Sequence, residues 1–452
     1  MRQIWTRSTI NLGRGIIAII GSIFFLYKSK IESKGYRLFF VMYIIFWIPI
    51  MITRPYRGSV QNLIDPTFLV WTLAAYGAVG IFIRPFSDFL ALYLHNRKII
   101  LYFAATIVIA SFLPFVFVQS SATNIIQSIG IGVGASSIGT YELMFKEQYG
   151  KSRSFLTVSI LAIPPLIADF ITAPVQSIVR IFVIDANNNI EKIKIYTILW
   201  MIAICIMIIF IIIFIFVKEK RSHVGMQYGN QVIEHKNKNI SLFLTIILTG
   251  MIIIFVKFSN SGSVGTLQLQ LLQEHTNISV ASAEGYLSTI FSSSQLLGTF
   301  FLGYLMLKKI SKQKMFLIGI SIWIFYHFIS SFITNPIGYM TVHGFNGFAY
   351  GIMYNLLLGF ILSFSFKKGK LYTPMGIYQS LLAVGITSSS FFTTFIKKEF
   401  QAINPSTNIQ DLLKPTFIIN FIIIGILIVT FGLFASISYF EKNSKRLKLP
   451  SI

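Results

Sequence analysis

Arg54, Asp169, Glu142, Lys257 and His343 each stand within or at the edge of a long apolar run. An ionisable side chain in a membrane-spanning segment costs about 2.5–3.5 kcal/mol on insertion, so such groups face a partner or a cavity and are candidates for function. Arg54 and Lys257 both fall about seventeen residues into their runs, which puts them at similar depth along a helix. Two cations facing one cavity repel each other unless an anion lies between them, which suits an anionic substrate. Arginine can grip a carboxylate or phosphate with two parallel hydrogen bonds, and lysine adds a point charge. Snorkelling of both to the interface is the alternative, and it is the expectation for Arg57, nearer the end of its run.

Asp169, Glu142 and His343 are candidates for proton coupling or charge balance. Asp169 lies near the depth of Arg54 and can instead neutralise it between substrate cycles. Glu142 can equally pair with Lys146 one turn on, and His343 can be a hydrogen-bonded core residue. His327 reads as structural. Tyr76, Tyr141 and Tyr354, with Trp71 and Tyr350, can line a cavity, although aromatics make up 15% of the chain and most of them serve packing or interface belts. No glycine-rich phosphate loop, zinc-ligand spacing or catalytic triad is present, so neither enzymatic activity nor a cofactor or metal is expected. Cys205, the single cysteine, permits no internal disulfide.

The elements that carry these residues follow from composition. Of 452 residues, 54% are apolar and 12% charged, with a mean hydropathy of +0.72. Soluble domains carry about a quarter charged residues, so a soluble enzyme, a disordered tail and a fibrous protein are excluded. A bilayer core of about 30 Å needs about 20 apolar residues in helix. Twelve such runs occur, at 38–58, 67–94, 98–118, 123–146, 154–180, 193–217, 240–262, 283–307, 314–333, 337–366, 372–396 and 414–440. The resulting organisation is a segment 1–35, a bundle 36–218, a charged linker 219–239, a second bundle 240–440 and a tail 441–452. Residues 15–27 are apolar but too short to span untilted, and an interfacial helix is expected there.

The net charge of +23 raises nucleic acid as a partner, but most of the 38 basic residues collect on one side of this topology. That side is the cytoplasmic one by the positive-inside rule, with both termini there. No nucleic-acid partner is then needed. A monomer in the plasma membrane, embedded in lipid, is expected.

The halves resemble each other. Ile-Met-Ile-Thr-Arg54-Pro in the first run aligns with Ile-Ile-Phe-Val-Lys257-Phe in the seventh, and Gly130, Gly132, Gly134 and Tyr141 align with Gly344, Gly347, Gly351 and Tyr354. Such internal symmetry marks transporters built from duplicated bundles.

The segment Arg84-Pro-Phe-Ser-Asp88, followed by Arg97-Lys98, resembles the cytoplasmic signature of the major facilitator superfamily, with Arg84 where the signature has glycine. The resemblance implies an all-α polytopic membrane protein of twelve helices in two pseudo-symmetric six-helix bundles. It assigns Arg84, Asp88, Arg97 and Lys98 to gating at the cytoplasmic loop. Ala75-Tyr76-Gly77, Ile163-Pro164-Pro165-Leu166 and Ser222-His-Val-Gly225 are similar to the organophosphate:phosphate antiporter branch, in which Arg54 and Lys257 would clasp a phosphate. Gly80 and Lys257 depart from that branch, which has lysine and arginine there. The implied function is alternating-access transport of a small anion (organophosphate, phosphate or carboxylate), with phosphate or protons as coupling species. A proton-coupled carrier of a neutral solute such as a sugar is the alternative, and a membrane-embedded lipid-handling enzyme is a third reading from another class.

Overall fold

The computed structural model describes residues 34–94, 97–149, 163–186, 188–217, 240–259, 280–307, 310–367, 373–401 and 409–446. Residues 15–27, the linker 219–239 and the side chain of Asp88 lie outside the described residues. Within them the chain is helical: α1 Lys34–Thr53, α2 Arg57–Ile64, α3 Leu69–Tyr93, α4 Lys98–Phe117, α5 Ser121–Ser136, α6 Ile138–Tyr149, α7 Ile163–Asp185 and α8 Asn189–Phe214 form the first half. The second half comprises α9 Ile240–Ser259, α10 Val280–Leu307, α11 Lys312–Ser330, α12 Pro336–Lys367, α13 Thr373–Gln401 and α14 Ile409–Arg446. These helices coincide with the twelve apolar runs, α1 with α2 and α5 with α6 each making one span.

Among the described residues, 6 helices are long and apolar enough to cross a membrane on composition alone. Helices α10, α12 and α13 are as long but carry more Ser, Thr, Asn and Gln, of which Gln295, Thr299, Asn346, Asn355, Gln379 and Ser389 are buried. Tight connections start the helices cleanly. Ser120 and Thr123 form a reciprocal cap on α5, Asn188 accepts from the Glu191 amide on α8, and Ser311 accepts from the Lys314 amide on α11. At the end of α8, the Lys98 ammonium donates to the Val217 carbonyl at 2.5 Å and the Ile215 carbonyl at 3.2 Å, satisfying helix-end acceptors that have no partner within the helix.

Proline shapes the first span. Pro55 has no N–H to continue α1, and Arg54–Tyr56 tighten into a 3-10 turn before α2 resumes. Arg54 therefore sits at a break in the helix, half-buried.

The packing repeats between the halves. In the first, α1 packs on α7 and α8, α4 on α5 and α8, and α3 on α5. In the second, α9 packs on α13 and α14, α11 on α12 and α14, and α10 on α12. Each contact in one list has its counterpart in the other when α1, α3, α4, α5, α7 and α8 are exchanged for α9, α10, α11, α12, α13 and α14. The two seams between halves, α3 on α13 and α7 on α10, exchange in the same way. One aligned glycine pair acts alike as well, whereas Gly130 and Gly134 meet α4 and their counterparts Gly344 and Gly351 meet α10. A Cβ on Gly132 of α5 would lie 2.7 Å from the Tyr76 carbonyl of α3, and one on Gly347 of α12 would collide with the Phe291 carbonyl of α10.

Candidate functional site

The seam between α3 and α13 stays closed over most of its length. At the end where α3 begins, Trp71 and Phe391 meet edge to face at 6.1 Å. In the middle, a Cβ on Gly77 would lie 2.9 Å from the Thr387 amide nitrogen, and one on Gly80 would lie 3.0 Å from the Ala383 Cβ. Toward the other end, Arg84 Nη1 donates to the Gln379 carbonyl at 2.5 Å, and Ser380 donates to the Ile81 carbonyl at 2.6 Å. The two helices approach closely at Gly77 and Gly80, and Arg84 reaches across the seam.

Two polar layers lie inside these helices. The first is built at the break in α1. Asp169 of α7 accepts from Ser292 of α10 and lies in electrostatic contact with both Arg54 and Lys257. Lys257 Nζ stands 4.2 Å from the centroid of the Tyr350 ring, with the Phe291 and Phe258 rings at 5.3 and 5.4 Å. Three aromatic faces thus stabilise this ammonium, each through the negative charge of its ring face. Arg54 and Lys257 keep part of their surface accessible while facing this carboxylate.

Arg57 does not snorkel. It is 5% exposed, its Nε donates to the Arg54 carbonyl at 3.0 Å, and its guanidinium lies 4.8 Å from the centroid of the Tyr76 ring. Arg57 opens α2 directly after the 3-10 turn and is buried there, where its place near the end of the run suggested the interface. Arg57 Nη1 has no hydrogen-bond partner.

The second layer lies toward the end at which α1 starts. Glu142 accepts from Gln379 Nε2 at 3.0 Å and lies in electrostatic contact with Arg84. Its described partner is thus an amide of the other half, and the side chain of Lys146 lies outside the described residues. Tyr350 and Tyr354 stack along α12 with centroids 5.4 Å apart and connect the layers, since Tyr354 is in electrostatic contact with Glu142, Arg84 and Tyr76.

Several sequence candidates fall elsewhere. The Tyr141 hydroxyl donates to the Phe39 carbonyl at 2.5 Å, and its ring stacks on Tyr43 at 4.1 Å, so it is held in the packing of α1 against α6. His343 is 2% exposed and shares a hydrogen bond with the Tyr326 hydroxyl at 2.9 Å, the setting of a core histidine. His327 pairs likewise with Asn420 at 2.9 Å. Arg97 is buried, and Lys98 closes the end of α8 as described.

Sequence reasoning missed Ser292, Gln379, Phe258 and Phe291 as neighbours of the charged groups. Ser292 opens a Ser-Ser-Ser-Gln stretch inside an apolar run, a polar signal visible in the sequence. The aromatic residues carry no such signal among so many others.

No family model matches the sequence, and no curated relative does. The fold has a solved counterpart. The chain is similar to the crystal structure of the human organic anion transporter MFSD10 (TETRAN), with a TM-score of 0.63 at 9% sequence identity, covering 89% of this chain and 100% of that one. At that identity the likeness shows the fold alone, an all-helical arrangement shared with that transporter, and it agrees with the membrane-length apolar helices described above.

Proposed function

We propose that the chain is a secondary transporter that moves a small anion across the plasma membrane by alternating access, with the anion held between Arg54 and Lys257. One observation carries this reading. A cation from each half converges on the single carboxylate of Asp169, deep in the bundle, and both cations are still partly accessible. A substrate anion entering there replaces Asp169 as the counter-charge. Both halves then grip one ligand, as alternating access about a central site requires.

By the positive-inside rule, the basic residues of the loops and tail favour a cytoplasmic side for the end at which α1 starts. The Arg84–Gln379–Glu142 layer is then the inner closure, with the anion site on its outer side. Residues 36–218 and 240–440 are the two rocking units, joined by 219–239. MFSD10 is by name an organic anion transporter, which agrees with an anionic cargo here but concerns that protein.

Transport into proteoliposomes tests the reading. The wild-type protein is expected to take up organophosphates, phosphate or carboxylates, and Arg54→Ala and Lys257→Ala each to reduce that uptake at least about tenfold, the equivalent of about 1.4 kcal/mol. Undiminished uptake of every anion by both variants refutes an anion site. Uptake that survives collapse of the proton gradient but needs internal phosphate identifies exchange. Dependence on the gradient identifies symport.

A further inference from the structure

The first span ends in a built scaffold that holds Arg57 in place. Asn124 Nδ2 donates to the Arg57 carbonyl at 3.2 Å and to Gln61 Oε1 at 2.9 Å. Gln61 in turn donates to Ser121 Oγ at 2.8 Å and accepts from Thr72 at 3.0 Å. Gln127 donates to Asn124 at 2.5 Å, and Trp200 donates to Gln127 at 3.1 Å. Buried amides of α2 and α5, with Thr72 of α3 and Trp200 of α8, therefore satisfy one another around the Arg57 backbone. A looser setting would let its guanidinium turn toward an acceptor.

Amid this pairing, Arg57 Nη1 stays without a partner although the side chain is 5% exposed. A buried charged donor is costly to leave unpaired, so an unpaired one calls for a partner. Its surroundings are those of the anion site. Arg57 is in electrostatic contact with Arg54, its guanidinium lies over Tyr76, and the Tyr76 ring lies 6.5 Å from Phe258, one wall of the Lys257 cage. With all groups ionised, Arg54, Arg57 and Lys257 bring three positive charges, and Asp169 faces two of them, Arg54 and Lys257. A monoanion leaves that site positive, and a dianion brings it to neutrality.

We infer that Arg57 is a third cation of the substrate site and makes it select a doubly charged anion over a singly charged one of the same shape. The inference rests on the anion reading of Arg54 and Lys257. Arg57 supplies the second charge, and its planar fork, held over Tyr76, supplies direction.

Sulfate and methyl sulfate test it, as tetrahedral probes that differ by one charge. Thermal shifts of the purified full chain are measured with each, at ionic strength held constant with chloride, which is neither tetrahedral nor a carboxylate, and converted to apparent affinities by mass action. The wild type is expected to bind sulfate at least about tenfold more tightly than methyl sulfate. Arg57→Gln is expected to erase that preference while changing methyl sulfate affinity less than about twofold. Arg57→Gln weakening both anions alike, or keeping the preference, overturns the role of Arg57. Neither anion shifting the wild type, or both shifting Lys257→Gln as they shift the wild type, overturns the underlying anion site instead. If Arg57→Gln does not fold, Arg57→Lys decides. It keeps the charge and loses the fork, so sulfate remains preferred but binds several-fold more weakly, and unchanged sulfate binding overturns the inference.

Discussion

A lysine in a bilayer needs stabilisation that water cannot supply there. Lys257 gets it from the Tyr350, Phe291 and Phe258 rings, and from Asp169, which reaches it from the other half. Ring faces stabilise the cation through their negative charge, and the carboxylate adds an opposite charge. Asp169 acts as the resting counter-ion and competes with any anion for the same charges. Removing its charge should strengthen anion binding, because a unit charge about 4 Å away is worth on the order of 4 kcal/mol at the effective dielectric of a partly solvated site. Release should slow for the same reason. In proteoliposomes, Asp169→Asn is expected to lower the half-saturating anion concentration by about tenfold or more and to reduce maximal turnover. An unchanged half-saturation point shows that Asp169 does not oppose the substrate. Asn keeps the shape and an oxygen that can accept from Ser292, so the comparison isolates charge.

The helices meet where side chains are smallest, and a single methyl group tests each meeting. On α10, Gly298 lies against the Phe348 backbone of α12, whereas Gly303, five residues along, has no atom within 4 Å of where a Cβ would stand. Gly298→Ala is expected to force α10 and α12 apart and destabilise the protein by about 1–3 kcal/mol, the cost of overpacking a tight contact. Gly303→Ala should stay within about 0.5 kcal/mol of wild type or stabilise slightly through helix propensity. Thermal or denaturant melting in detergent separates the two, and equal effects would remove close packing as the reason for Gly298. These contacts also show what the sequence could disclose. Span positions, the duplication and the match of Arg54 with Lys257 are legible there, because length, hydropathy and spacing survive in one dimension. The rotation of each helix is not. Position near the end of a run suggests the interface for Arg57, yet its side chain is buried against Tyr76. Register with Tyr354 puts Tyr141 near the substrate, yet its hydroxyl meets the Phe39 carbonyl, an acceptor without any sequence signal. The Glu142–Gln379 contact joins residues 237 positions apart and depends on how the halves meet.

The two halves have equivalent internal packing, yet the α3–α13 seam holds a group that breaks the equivalence. Arg84 crosses from the first half to the Gln379 carbonyl of the second, and the Gln379 amide returns to Glu142 of the first. The strand of bonds thus passes between halves twice, near the end of the molecule where α1 starts. Charge-assisted hydrogen bonds to a buried partner contribute about 1.5–3 kcal/mol each, comparable to the few kcal/mol that separate the states of a transporter. Loss of Arg84 should therefore shift the population toward opening at that end while leaving each half folded. Ser380, beside Gln379 and bonded across the seam to the Ile81 carbonyl, reports on this opening when replaced by cysteine. Cys205 is the only native cysteine, so a Cys205→Ser, Ser380→Cys background carries a single thiol. With Arg84→Ala added, a membrane-impermeant maleimide applied from the proposed cytoplasmic side is expected to label position 380 at least about tenfold faster, as loss of one such bond implies. Acceleration from the opposite side reverses the proposed orientation. Unchanged labelling from both sides means that the Arg84–Gln379–Glu142 bonds do not hold the seam. Gln379→Ala, which removes the return bond to Glu142 but keeps the carbonyl that Arg84 uses, is expected to show a smaller acceleration, and the ratio of the two rates apportions the closure between its two crossings.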